Sequence, residues 1–140
     1  MVRPMTNTPS DGGAEAGATP PAESPVIRTI AMPADTNPAG DIFGGWLMAH
    51  MDLAAGNVAT RRARGRAATV AVEAMSFHKP VLVGDEVSFY GTILSAGRTS
   101  MRIRIEAWRR AREEEQAMKV TEAIFTFVAI GEDRRPRPID

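Results

Sequence analysis

From Phe43 to Arg62 the chain runs without a proline and its apolar residues recur at helical rather than alternating spacing. This stretch predicts one long helix that ends before Gly65. At about 100° per residue, Gly45, Ala49, Asp52, Gly56 and Ala59 share a stripe about 80° wide, while Leu47, Met51, Ala54 and Val58 form a second apolar face. Only His50, Asn57 and Arg61 make a polar edge. A helix apolar around most of its circumference, and small on one side, is enclosed by other elements and approached closely by backbone. The expectation is a central helix rather than a surface one.

The segments around it carry a strand pattern. Ala67 to Phe77, Asp85 to Ser95, Thr99 to Arg109 and Met118 to Ile130 are predicted strands. In the third, Met101, Ile103, Ile105 and Ala107 alternate with Arg102, Arg104, Glu106 and Trp108, giving one buried and one wetter face. Before the helix, Val26 to Met32 (VIRTIAM) is short, β-branched and bounded by prolines, as a strand would be. Pro33 to Gly40 (PADTNPAG) collects turn formers and must be a loop. The connections Lys79 to Gly84, Ala96 to Arg98 and Ala111 to Ala117 are short enough for antiparallel neighbours. One helix cannot cover both faces of such a sheet, but a strongly curved antiparallel sheet can wrap around it, which is an α+β solution.

Composition narrows the chemistry. The 140 residues suit one domain, and 17 Lys plus Arg balance 17 Asp plus Glu, so nothing overall draws the chain to nucleic acid or an acidic membrane. Any polyanion site must be local. No cysteine is present, which removes disulfides, zinc thiolates and a thiol nucleophile, and fits a reducing, cytoplasmic setting. No stretch reaches the roughly 20 apolar residues of a membrane helix. Residues Met1 to Pro25 hold almost no large apolar side chain and are expected to be a disordered tail. Near the other end EDRRPRP reads as a solvated tail, so the folded domain is placed at 26–135 with 136–140 beyond it.

With only His50 and His78 and no cysteine, no metal cluster is expected, and neither a GxSxG elbow nor a GxxxxGKS phosphate loop occurs. What stands out is Asp52, an acid amid glycine and alanine, where burial of a carboxylate is costly unless it is paired or used. Either it bonds a loop amide or a basic residue, or it does chemistry. Asp41 before the helix reads as a cap, and Asn37 before Pro38 as a turn residue. Gly44 and Gly45 permit close approach to free amides at the helix start, or serve tight packing. Lys79, Arg98, Arg109 and Arg110 offer phosphate contacts or plain solvated surface. Trp46, Met48 and Phe77 read as core or interface, and the two histidines as a helix-edge and a turn residue.

At RTIAMPADTNPAGDIFGGWLMAHMD, Arg28 to Asp52, the chain closely resembles the hotdog-fold acyl-CoA thioesterases, in particular the short bacterial YciA-like branch. TVAVEAMSFHKPVLVGDEV, the GRTS turn at Gly97 to Ser100, IRIEAWRR and VTEAIFTFVAI continue the likeness, which covers essentially Val26 to the C-terminus. The resemblance implies a five-stranded antiparallel sheet wrapped around one long helix, and hydrolysis of acyl-CoA to a fatty acid and CoA without a cofactor. It implies that Asp52 is the main catalytic group, as base or nucleophile, and that Asn37 completes the site from the partner subunit. Gly44 and Gly45 match the glycines that bring the helix N-terminus against the thioester carbonyl. A single wrapped sheet leaves an exposed edge and half a site, so a homodimer with a continuous sheet is expected, and the resemblance implies further assembly, often a hexamer. Pro38 and His78 depart from the family pattern and affect loop shape and pantetheine contacts.

For the CoA phosphates the nominated residues are Lys79 and Arg98 with the hydroxyls of Thr99 and Ser100. Two rivals are weighed: a hotdog hydratase or dehydratase, which needs a histidine beside an acid, and a module that only binds acyl-CoA. His50 sits about 160° around the helix from Asp52, which disfavours the first. The intact set Asn37, Gly44, Gly45 and Asp52 disfavours the second.

Overall fold

The helical stretch folds as expected: in the computed structural model, which describes residues 19–140, helix α1 spans Gly44–Ala63. Phe43 precedes it in extended backbone with no side-chain cap bond, so the expected Asp41 cap is not formed. The Asp41 amide is drawn instead to the Asn37 side-chain oxygen at 3.1 Å. At the other end Arg64 turns into the left-handed region at φ 55° and its N–H bonds Thr60 O, which stops the helix before Gly65. Among the described residues no helix is long and apolar enough to cross a membrane.

The strands are β1 (Ile27–Ile30), β2 (Ala67–Phe77), β3 (Glu86–Ala96), β4 (Ser100–Arg110) and β5 (Ala117–Ala129). All pairings are antiparallel, and the sheet order is β1-β3-β4-β5-β2. The strand that follows the helix therefore crosses to the far edge, beside β5. A short 3-10 turn at Pro33–Asp35 opens the loop after β1, with Asp35 Oδ2 accepting from Met32 N at 2.9 Å.

The alternation in β4 sets the core. Met101, Ile103, Ile105 and Ala107 are buried, together with Val87 and Phe89 of β3 and Ala123, Phe125 and Phe127 of β5. Against them lie Trp46, Leu47, Met51, Ala54, Ala55, Ala59 and Ala63 of α1. Helix and sheet approach closely at Gly91, where an added Cβ would stand 2.9 Å from a Val58 methyl and 3.1 Å from Ile105 Cδ1.

Two expectations need correction. The helix is not enclosed on all sides within one protomer: its other flank is open, with Leu53 63% exposed and Met48 also exposed. Beside that flank runs β2, whose Val70 (59%), Val72 and Phe77 are exposed as well. The sheet curves around one side of α1, and among the described residues β2 has a strand neighbour only in β5. The strand is also irregular, with register shifts between Thr69 and Ala71 and between Glu73 and Ser76, and Ala74 at φ 60°.

The C-terminal segment is the second correction. Side chains of residues 132–136 are exposed, but the backbone doubles back: Ile130 bridges Pro136, Arg137 N bonds Ala129 O, and Ile139 N bonds Arg98 O. Ile139 is buried, which repays the ordering of this short return. Of the N-terminal tail, residues 1–18 lie outside the described residues; 19–25 are irregular, and Pro20 lines a small cleft on the outer sheet face with Tyr90 and Trp108.

Candidate active site

Asp52 projects from the open flank of α1 toward β2. It is exposed in the single protomer, and its Oδ1 accepts a hydrogen bond from Thr69 Oγ1 at 2.6 Å. The register explains the meeting. Thr69 pairs with Phe127, whose ring lies 3.6 Å from where a Cβ on Gly56 would stand, one helical turn beyond Asp52. Directly opposed residues of an antiparallel pair share a face, so Thr69 faces the helix. The small stripe read from the sequence is thus split: Gly45, Ala49 and Asp52 are exposed, Gly56 half-buried and Ala59 buried. The carboxylate has one hydroxyl fixing its orientation, and its other lone pairs remain open to a ligand.

At the start of the same helix, the amides of Gly44 and Gly45 belong to the first turn and have no intrahelical acceptor. The first turn holds no acidic residue, and Phe43 supplies no capping side chain to compete for these donors. A Cβ on Gly44 would stand 3.3 Å from the Phe77 ring, and one on Gly45 3.2 Å from the Phe43 ring. The glycines thus serve both readings at once: they admit two aromatic rings and leave amide donors beside an exposed apolar rim.

Asn37 organises its own loop. Its side-chain oxygen accepts from Ala39 N at 3.0 Å and from Asp41 N at 3.1 Å, and its amide N–H bonds Asp41 O at 2.7 Å. Thr36 and Ile42 bridge across the base. The oxygen being spent inward, Asn37 Nδ2 is left as the outward donor. Within one protomer no hydrogen bond joins Asn37 to Asp52.

The nominated phosphate ligands are not brought together. Within one protomer Lys79 precedes β3, whereas Arg98, Thr99 and Ser100 follow its far end, and between them runs an 11-residue strand, about 36 Å long if fully extended. At the turn, main-chain oxygens are occupied: Ser100 O by Gly97 N, Thr99 O by Ala129 N and Arg98 O by Ile139 N. Near Lys79 the loop is pinned by Arg109, which donates from Nη1 to Pro80 O at 3.1 Å and holds Nε 2.9 Å from the buried Asp85 carboxylate. Asp85 also accepts from Leu82 N at 2.9 Å. Arg110 pairs with Glu86 at 3.2 Å. Arg109 and Arg110, considered above for phosphates, are therefore engaged in the fold.

His50 lies between Trp46 and Phe89, with ring centroids 4.4 and 5.6 Å away, and its Nδ1 is 2.9 Å from Trp46 O. It packs on the core side and makes no hydrogen bond to Asp52. The residue that sequence reading missed is Thr69. Its signal was a hydroxyl in AATVAVEAM, at a position whose face depends on a register the sequence does not display.

Known proteins place this arrangement. Residues 39–116 match the Thioesterase superfamily. An uncharacterized acyl-CoA thioester hydrolase of Zymomonas mobilis is 56% identical over 83% of this chain and 78% of its own. The acyl-CoA thioester hydrolase YciA of Salmonella typhimurium is 50% identical over 81% of this chain and 88% of its own. Among solved structures, HI0827, a hexameric broad specificity acyl-coenzyme A thioesterase, superposes with a TM-score of 0.81 at 45% identity, covering 86% of this chain and 84% of that one. The sheet order, the helix and the sequence identity lead to one assignment: the chain belongs to the thioesterase superfamily, in its hotdog-fold, YciA-like branch of acyl-CoA thioester hydrolases.

Proposed function

We propose that this protein hydrolyses acyl-CoA thioesters, with Asp52 as its catalytic carboxylate and Thr69 as the residue that orients it. The observation that carries this reading is the 2.6 Å hydrogen bond from Thr69 to Asp52, on the open side of a helix whose first turn offers free glycine amides. In the base route, Asp52 takes a proton from water as the hydroxide adds to the thioester carbonyl. The oxygen, now negative, is met by the Gly44 and Gly45 amides with the positive end of the helix. Collapse breaks the C–S bond and returns the proton to the CoA thiolate, leaving a carboxylic acid. In the nucleophile route, Asp52 itself attacks, CoA thiolate departs, and water opens the resulting anhydride.

Asn37 would donate from Nδ2 to the water or carboxylate of the neighbouring copy, since it does not reach Asp52 in its own. The open flank of α1 and the unpaired edge of β2 support a homodimer in which two β2 strands meet. Hexameric relatives support further assembly in threes of dimers. Lys79 and the Arg98–Ser100 turn, at opposite ends of β3, are two separate candidates within one protomer for contacts to the CoA phosphates.

Asp52→Asn should lower kcat for thiol release by about 10² to 10⁴ while the fold persists. Full turnover in the folded variant would end this assignment. In a single turnover in ¹⁸O-water, label in the Asp52 carboxylate marks an anhydride opened at the protein carbonyl and hence the nucleophile route, whereas label in the fatty acid alone is common to both routes.

A further inference from the structure

At the C-terminal end of α1 lies a charge imbalance that neither the fold nor the proposed hydrolysis uses. Arg61, Arg62, Arg64, Arg66 and Arg137 line one open cleft of about 940 Å³ between the helix end and the returning C-terminal segment. Two of the five are committed. Arg137 donates from Nη2 to Ala63 O at 2.8 Å, and Arg62 clasps Asp140 through contacts of 2.9 and 3.2 Å.

Arg61, Arg64 and Arg66 form no ion pair within 4.0 Å among the described residues. The acids on the cleft wall are Glu132 and Asp140, and the second is already taken by Arg62. Against Arg61, Arg64 and Arg66 stand Glu132, the roughly half negative charge of a helix C-terminus and the charge of Asp140, which acts on Arg64 as well as Arg62, so positive charge remains in excess. The mutual repulsion of the arginines would be relieved by a bound anion, and the planar guanidinium fork fits phosphate oxygens. The apolar wall is made by Ile130 and Ile139, with no aromatic ring to stack a base. Recognition here would read phosphate charge rather than a nucleobase.

We propose that this cleft is a polyphosphate-binding site, taking a ligand with two or more phosphate groups on Arg61, Arg64 and Arg66. Two sources share that chemistry. One is the nucleotide end of an acyl-CoA, an option that rests on the hydrolase reading; Arg61 lies about 14 Å along the helix axis from Asp52 and about 180° around it, so such a ligand would have to round the helix. The other is a separate polyphosphorylated molecule.

The test is calorimetric titration of the full chain with inorganic tripolyphosphate, for the wild type and for Arg61→Gln/Arg66→Gln, both positions being exposed. The wild type should bind, and the double variant should bind roughly tenfold or more weakly at unchanged Tm. Arg61→Gln alone, a change that keeps helix propensity, serves if the double variant is unstable. Equal affinity in variant and wild type, or no wild-type binding at millimolar tripolyphosphate, overturns the site. Given the binding loss, a raised KM for butyryl-CoA at constant kcat identifies the substrate tail as occupant, and an unchanged KM identifies a separate ligand. Tripolyphosphate has no thioester, so this result stands or falls apart from the hydrolysis itself.

Discussion

Thr69 and Asp52 meet across the gap between an edge strand and a helix, and the 2.6 Å contact joins a hydroxyl donor to a carboxyl oxygen. Hydrogen bonds to a charged group contribute about 1.5–3 kcal/mol, so Thr69→Val, which keeps the β-branch, should lower kcat/KM by roughly 10- to 100-fold. Thr69→Ser should restore most of it. If valine and serine behaved alike, the hydroxyl would have no part in positioning the carboxylate. Asp52 was legible in the sequence because an acid amid glycine and alanine violates the local pattern. Thr69 was not, because threonine is at home in any strand and only the pairing with Phe127 turns it toward the helix. Asp41 misled for a related reason: as cap and as loop residue it has the same sequence neighbours, and the Asn37 side chain won its amide.

At the scale of elements, most of the architecture could be read. Helix and strand ends fall within a few residues of the predicted ones, because the apolar period changes sharply at Phe43 and again after Arg64. The strand between Lys79 and Arg98 was legible too, and it already placed them apart. At the helix start, Gly44→Ala would push a methyl to 3.3 Å from the Phe77 ring, shifting the first turn by tenths of an ångström. We expect kcat to fall about tenfold with little change in Tm, since small misplacement at a reacting centre is costly. Unchanged kinetics would mean the amide positions are not used.

The C-terminal return was hidden, because its charged residues suit a solvated tail and its anchor is the single Ile139. Here pH should matter. The Arg62 guanidinium, by hydrogen bond and charge, holds the Asp140 carboxyl below its ordinary value. A depressed carboxyl contributes stability that is present above the unfolded value near 4 and is lost as pH falls through the folded one. Asp140→Asn should therefore speed amide exchange at Arg137 and Ile139 at neutral pH, with the difference from wild type vanishing in acid. Identical exchange at pH 7 would show that the pair does not hold the segment.

For the whole molecule, one protomer is a helix held on one side by a curved sheet and bare on the other. The sequence conveyed that the helix needed covering all round and that a single wrapped sheet leaves an exposed edge; it could not convey which flank of the helix stays bare. Val72→Lys on the β2 edge sets a charge where two copies would join, and should shift the sedimenting species toward monomer and remove activity together. An active monomer would refute a site shared between copies.

The return of residues 136–140 onto the hairpin and helix end also bears on handling the protein. With Ile139 inserted and Asp140 held by Arg62, an affinity tag joined after Asp140 would have to leave from beside five arginines, and an acidic one would settle among them.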